Sequence, residues 1–189
     1  MSDSIAIFDA WSQYGKLVDK KVRWLWYNTK IYDITTSAEQ LENDGIRVVI
    51  ITGSGSSVND KEFLTIDPNI LSENFSVLGI CYGLQLINKI TWGEVISGGD
   101  REEWQEDILI SQESPLFFNL EWTQKVLLTH GDSVMPENIA HGYESIATSN
   151  AGIVAAIQNT SKKIFWVQFH PEVDLTENGE IIFENFLQM

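Results

Sequence analysis

Cys81 is the only cysteine of this 189-residue chain. It stands in Leu78-Gly79-Ile80-Cys81-Tyr82-Gly83-Leu84-Gln85, where an apolar, strand-like run meets an amphipathic, helix-like one. That junction suits a reactive thiol, because the positive end of a helix stabilises a thiolate, the nucleophilic form. A nucleophile on a tight strand-to-helix turn also projects above the carboxyl edge of a sheet, where open α/β sheets bind ligands. Gly79 and Gly83 fit such an elbow, since glycine lets the chain turn sharply and lets a neighbour come close. Far downstream, Phe169-His170-Pro171-Glu172 supplies a base and a carboxylate. His170 and Glu172 are two positions apart, so in an extended backbone both side chains face the same way, and Pro171 stiffens the link. A carboxylate on one ring nitrogen sets the tautomer and supports the imidazolium that forms when the other nitrogen takes a proton. Together these residues describe a cysteine hydrolase or transferase.

Each feature also has a plainer structural use. A single cysteine is often a small buried thiol, and a bare His-Pro-Glu is often a surface turn. Thr52-Gly53-Ser54-Gly55-Ser56-Ser57-Val58 lacks the lysine of a phosphate loop. Its backbone N–H groups suit one wall of an oxyanion hole, and a flexible linker is equally compatible with the spacing.

The bulk numbers bound the remaining choices. A 43% hydrophobic and 21% charged composition is ordinary for a globular chain, so one domain over 1–189 is expected. Lys+Arg 12 against Asp+Glu 27, a net charge of -15, disfavours direct binding to nucleic acid or to an anionic membrane. No run approaches the ~18 apolar residues of a membrane span, and Met1-Ser2-Asp3-Ser4 does not open a signal peptide. One thiol forms no internal disulfide framework, and His130, His141 and His170 lack paired metal-site spacing. A cytoplasmic, soluble protein without a metal is the expectation.

Positioning elements follow from periodicity. Strands are predicted at 5–8, 30–34, 48–51 and 77–80, and helices from Tyr14 (Leu17, Val18, Val22, Leu25), at 38–43 and at 82–90. Ser37 is placed to cap the second of these helices and Gly45 to end it. A short segment at 67–71 precedes the fourth strand. Alternating strands and helices imply a mostly parallel, open sheet covered by helices, an α/β fold of flavodoxin-like type. Beyond residue 93 the pattern changes to short strands at 107–110, 125–128, 143–148, 153–157 and 164–168, additional antiparallel members of the second half. A closing helix at 179–187 has Ile182, Phe183 and Phe186 on one face.

Taken in order, the cysteine elbow, Leu128-Thr129-His130-Gly131-Asp132-Ser133-Val134 and the His-x-Glu pair resemble the class I (triad) glutamine amidotransferases. The stretches Ser12-Gln13-Tyr14-Gly15-Lys16, Gln168-Phe169-His170-Pro171-Glu172-Val173 and Leu175-Thr176-Glu177-Asn178-Gly179 favour the GMP-synthetase branch. The resemblance implies Cys81 as nucleophile, His170 as general acid and base, and Glu172 as its orienting partner. It places the oxyanion hole at Gly53, Ser54 and the backbone N–H of Tyr82, and the amino-acid end of glutamine at Gln85, His130, Gly131 and Asp132. The implied activity is glutamine hydrolysis, with ammonia passed on for conversion of XMP to GMP. No cofactor is implied in this chain. ATP and its Mg would serve an ATP-pyrophosphatase partner domain or subunit, whose Ser-Gly-Gly-x-Asp-Ser loop is not found before Met189.

The chain departs from that family at several positions. It has Gly53-Ser54-Gly55 where the family usually has a Gly-Gly-Pro turn, and Trp11, Trp92 and Trp166 where glycine is usual. Trp11, at the carboxyl end of the first strand, is placed to narrow the glutamine pocket. Two other functions are compatible with the sequence: a partner- or glutamine-binding module, and a hydrolase of another γ-glutamyl amide.

Overall fold

The computed structural model describes residues 4–12, 14–72 and 74–189; Gln13 of the quoted Ser12 stretch and Met1, Ser2 and Asp3 of the opening lie outside them. In chain order the elements are β1 (Ile5–Asp9), α1 (Gly15–Trp24), β2 (Thr29–Asp33), α2 (Ala38–Asn43), β3 (Val48–Ile51), β4 (Ser76–Ile80) and α3 (Tyr82–Ile90). There follow β5 (Ile96–Glu102), β6 (Gln105–Ile110), β7 (Thr123–Leu127), β8 (His130–Ser133), β9 (Glu144–Ser149), β10 (Val154–Asn159), β11 (Ile164–Val167) and α4 (Gly179–Leu187).

Nine strands form one sheet in the order β2-β1-β3-β4-β11-β10-β9-β6-β7. From β2 to β11 neighbours are parallel, and from β11 to β7 they are antiparallel. This is the expected α/β architecture with its antiparallel extension. Side chains alternate across the sheet with period two. Ile5 and Ile7 of β1 join Val18 and Val22 of α1 and Ile182, Phe183 and Phe186 of α4 on one face, while Ala6 and Phe8 join Leu41 of α2 and Leu84 and Ile87 of α3 on the other.

Local signals act as anticipated in the first half. The Ser37 hydroxyl accepts from the Gln40 N–H at 3.2 Å, and Gly45 follows α2 at φ 75°. In α1, Val18 and Val22 are buried, but Leu17 is exposed and Leu25 caps the helix rather than continuing it. The segment after Asp67 is a 3₁₀ turn over Pro68–Leu71.

A second, two-stranded sheet of β5 and β8 is not foreshadowed by periodicity, which leaves His130-Gly131-Asp132 as a connection. Four residues of mixed polarity carry no period-two signal. Pairing with β5, some thirty residues earlier, makes them a strand.

The tryptophans at expected glycine positions divide into two kinds. Trp11 (φ 62°) and Trp92 (φ 74°) sit in the left-handed region that glycine occupies without a Cβ penalty, and their rings are exposed. Trp166 instead fills the core under Tyr143, with ring centroids 4.3 Å apart, on the residue of β11 that pairs with Gly79.

Helix α3 crosses its own strand β4 at glycine contact distance. A Cβ on Gly79 would lie 2.8 Å from the Gly83 carbonyl carbon, and one on Gly83 would lie 3.0 Å from the Ile51 carbonyl oxygen. The elbow glycines therefore serve close approach, and the unusual backbone angle falls on Cys81 itself. Gly79→Ala is expected to cost about 2–3 kcal/mol in urea unfolding, the range for overpacking a tight core. Gly55→Ala, whose added Cβ meets nothing within 4 Å, is the control and should change stability by less than about 0.5 kcal/mol.

Candidate active site

Four adjacent strands, β1, β3, β4 and β11, end on the same edge of the sheet, and the chain leaving each of them reaches one cavity. It has a volume of about 560 Å³ and is lined by Trp11, Ser12 and Tyr14 after β1, Ser54 to Ser57 after β3, Cys81 and Gln85 after β4, and His170 after β11. Thr129, His130, Gly131 and Asp132 line it from β8 and the residue before it, and Glu103 lines it from the β5–β6 turn. This is the carboxyl edge where open α/β sheets bind ligands.

Cys81 is buried at φ 53°, ψ −102°, and immediately precedes the first turn of α3. Such a conformation costs on the order of 1–3 kcal/mol and persists only where surrounding bonds over-determine it. Those bonds are present: the Cys81 N–H donates to the Val167 carbonyl at 2.7 Å, and the Cys81 carbonyl accepts from Leu84 at 3.0 Å and Gln85 at 3.4 Å. The backbone N–H of Tyr82, first in the helix, has no acceptor within it. The Tyr82 ring is buried elsewhere, its hydroxyl donating to the Leu64 carbonyl.

His170 lies beside Cys81, both packing on Gly53, and its Nδ1 lies 2.8 Å from Glu172 Oε1. The bond to Glu172 assigns the Nδ1 proton and leaves Nε2 for the sulfur. Glu172 is buried, and its Oε2 has no hydrogen-bond partner among the described residues, so its charge is directed at the imidazole. Burial pulls the imidazole toward its neutral form. The hydrogen bonds to Cys81 and then Glu172, with the negative charge of each, outweigh it and raise the pKa from 6.5 to about 10. The Tyr14 ring stands edge-on to His170 at 5.1 Å.

The His-Pro-Glu segment is held against the edge strand of the sheet. The His170 N–H donates to the Leu127 carbonyl at 3.1 Å, the Thr176 hydroxyl accepts from the Leu127 N–H at 3.0 Å, and the Glu177 N–H donates to the Lys125 carbonyl at 2.9 Å. These bonds satisfy backbone groups of β7 that a sheet edge leaves unpaired.

Gly53 packs directly on Cys81 and His170. A Cβ there would lie 3.2 Å from His170 Cε1 and 3.5 Å from Cys81 Cβ, so this wall requires the residue without a side chain. The Ser54 hydroxyl turns back to accept from the Ser56 N–H at 3.2 Å.

The residues expected on the substrate side also meet here, with their polar atoms largely committed to one another. Both carboxylate oxygens of Asp132 are engaged: the Ser57 hydroxyl bonds to one and the Ser97 hydroxyl donates to the other at 2.8 Å. The Asp132 carbonyl lies 2.9 Å from both Gln85 Nε2 and His130 Nδ1. Gly131 lines the open side. The sequence assigns no role to Gln168, yet its side chain lies between Gln85 and Cys81. Nor does it single out Ser57, Ser97 or Glu103. The side-chain bonds that join Ser57 and Ser97 to Asp132 and Gln168 to Cys81 span 75, 35 and 87 residues, separations that leave no local signature. Among the described residues no group of three or more His, Cys, Asp or Glu is arranged to hold a metal ion.

Residues 6–189 match the pattern of the family described as Glutamine amidotransferase class-I. The chain belongs to that family. It is 44% identical over 186 residues to a probable GMP synthase [glutamine-hydrolyzing] of Caenorhabditis elegans and 41% identical over 200 residues to a GMP synthase of Dictyostelium discoideum. Each match covers 98% of this chain but only 25% and 28% of those relatives, so the chain is homologous to their amidotransferase portion. A solved structure from Thermoplasma acidophilum, described as a putative GMP synthase component, shares the fold at a TM-score of 0.84 and 22% identity, covering 100% of this chain and 94% of that one. A glutamine amidotransferase from Thermotoga maritima does so at 0.73 and 18%, covering 99% and 81%.

The raised His170 value has a defined consequence for stability. A folded-state pKa above the unfolded one gives stabilisation that is complete below pH 6.5 and is lost as the pH rises through about 10. In Glu172→Gln the titration midpoint of the His170 ring, followed by NMR, should fall, and the alkaline loss of stability, still starting near pH 6.5, should end at lower pH and be smaller in total. An unmoved midpoint would refute the part assigned to the carboxylate.

Proposed function

We propose that this chain hydrolyses the side-chain amide of glutamine to glutamate and ammonia, and that the ammonia serves an ATP-pyrophosphatase domain or subunit converting XMP to GMP. The observation that carries the chemistry is Cys81 beside His170, whose ring is bonded to Glu172, at the wall of a cavity roomy enough for an amino acid. The family membership, and the similarity to glutamine-hydrolysing GMP synthases, support the substrate and the destination of the ammonia.

In this reading Cys81 Sγ attacks the amide carbonyl carbon and the carbonyl electron pair moves to oxygen. The Tyr82 N–H and the Gly53-Ser54 backbone face the resulting oxyanion. The tetrahedral centre collapses to a thioester as the C–N bond breaks, and the His170 imidazolium gives its proton to the departing nitrogen. Water then attacks the thioester carbonyl while His170 takes its proton, and C–S cleavage returns the thiolate and releases glutamate. Glu172 stabilises the imidazolium in both halves. Gln85, His130, Gly131 and Asp132 shape the end of the cavity that receives the α-amino and α-carboxylate groups. Trp11 stands at the rim, its backbone N–H donating to Asp9 Oδ1 at 2.9 Å, and narrows the mouth.

Glutamate release should be followed with the chain alone and with a matching ATP-pyrophosphatase domain, ATP and XMP. Release is expected in the reconstituted system and should fall to background, by about a thousandfold or more, in Cys81→Ala. Release that persists in that variant, or none in the complete system despite tight association, would overturn the proposal; the second result would favour a binding module.

A further inference from the structure

Gln168 follows β11 and is fully buried, with its backbone N–H bonded to the Ala155 carbonyl at 2.8 Å, and its side chain reaches the nucleophile from beneath the residues that line the cavity. Three amides form a line whose polarity is set at one end. The Asp132 carbonyl can only accept, so the Gln85 atom 2.9 Å from it is the donating Nε2. That Nε2 gives its second proton to Gln168 Oε1 at 3.2 Å. Gln168 Nε2 is then directed at Cys81 Sγ, 3.7 Å away. The opposite orientation of Gln168 would set two NH₂ groups against each other and an amide oxygen against the sulfur. The backbone carbonyl of β8 thus dictates that the sulfur receives an N–H.

We propose that Gln168 is a positioning residue whose side-chain amide, oriented through Gln85 by the Asp132 carbonyl, donates a hydrogen bond that favours the Cys81 thiolate and holds the sulfur at His170. The inference rests on Cys81 being the nucleophile, and it assigns the same network a second role: the wall expected to receive glutamine also sets the state of the attacking atom. A thiolate accepts such a bond far more strongly than a thiol does. The other titratable groups around the sulfur are the His170 imidazole next to it, Glu172 behind that ring, Tyr14 beside it, and Glu103, His130 and Asp132 lining the cavity. Gln168 is the neutral donor among them, so its contribution does not itself titrate.

The test uses the single cysteine. Alkylation of Cys81 by iodoacetamide, followed by mass spectrometry across pH, reads thiolate formation without glutamine or turnover. In Gln168→Met, which keeps the volume and removes the donor, the profile should move up by about one pH unit, the scale of a hydrogen bond to a charged group. In Gln168→Glu the displacement should be larger, because an anionic oxygen then faces the sulfur. A Gln168→Met profile that coincides with wild type, in a protein of unchanged circular dichroism, would overturn the proposal, since a purely packing role predicts that result. Should both variants fail to fold, Gln85→Met releases Gln168 from its orientation and should give a smaller upward displacement; no displacement there is equally fatal. Wild-type protein inert toward glutamine in the complete system would instead sink the glutaminase reading.

Discussion

The close crossing of α3 over β4, glycine against glycine at Gly79 and Gly83, is the constraint on which the site depends. It brings the first turn of the helix down onto the strand end and leaves Cys81 as the one residue that must absorb the reversal. The unfavourable φ of Cys81 is held by bonds to β11 and to the helix it precedes. The strain is local, and the surrounding sheet is parallel and buried on both faces. The sulfur is consequently displayed at a fixed point on the carboxyl edge, which a flexible loop could not provide.

The imidazole reaches that point by a different route. Strand β11 lies beside β4, so the chain leaving it passes the sulfur, and the His-Pro-Glu segment is then captured along β7, the far edge strand of the antiparallel half. The antiparallel extension therefore has a chemical consequence. It supplies the edge strand that holds His170 and Glu172 where the parallel core alone ends. A buried carboxylate with a single partner is costly, and here the His170 ring bonded to Glu172 offsets part of that cost.

The side chains that line the cavity share bonds with those around Cys81 rather than standing apart. Asp132 ties the loop after β3 to β5 through Ser57 and Ser97, and its carbonyl orients Gln85, which orients Gln168. The β5–β8 pair is thereby joined by directional contacts to the loop after β3 and to the sulfur. The exposed tryptophans lie outside this network: Trp11 rims the cavity and Trp92 does not line it, whereas Trp166 stabilises the core face beneath Tyr143.

The sequence by itself determined the alternating strands and helices of the first half, because period-two and helical apolar patterns and the Ser37 cap are local properties. It also determined which residue types were available for chemistry at Cys81, His170 and Glu172, and the resemblance of their surroundings to a family. It did not reveal β5 and β8, whose few polar residues become strands only by pairing with each other, nor that Leu17 faces solvent. Only the tertiary structure decided that the elbow glycines serve contact and that Cys81 takes the strain. It alone decided that Asp132 braces the loop after β3 against β5 and that Gln168 faces the sulfur. Periodicity is written along the chain, whereas hydrogen-bond direction between side chains 75 or 87 residues apart exists only after the sheet has brought them together.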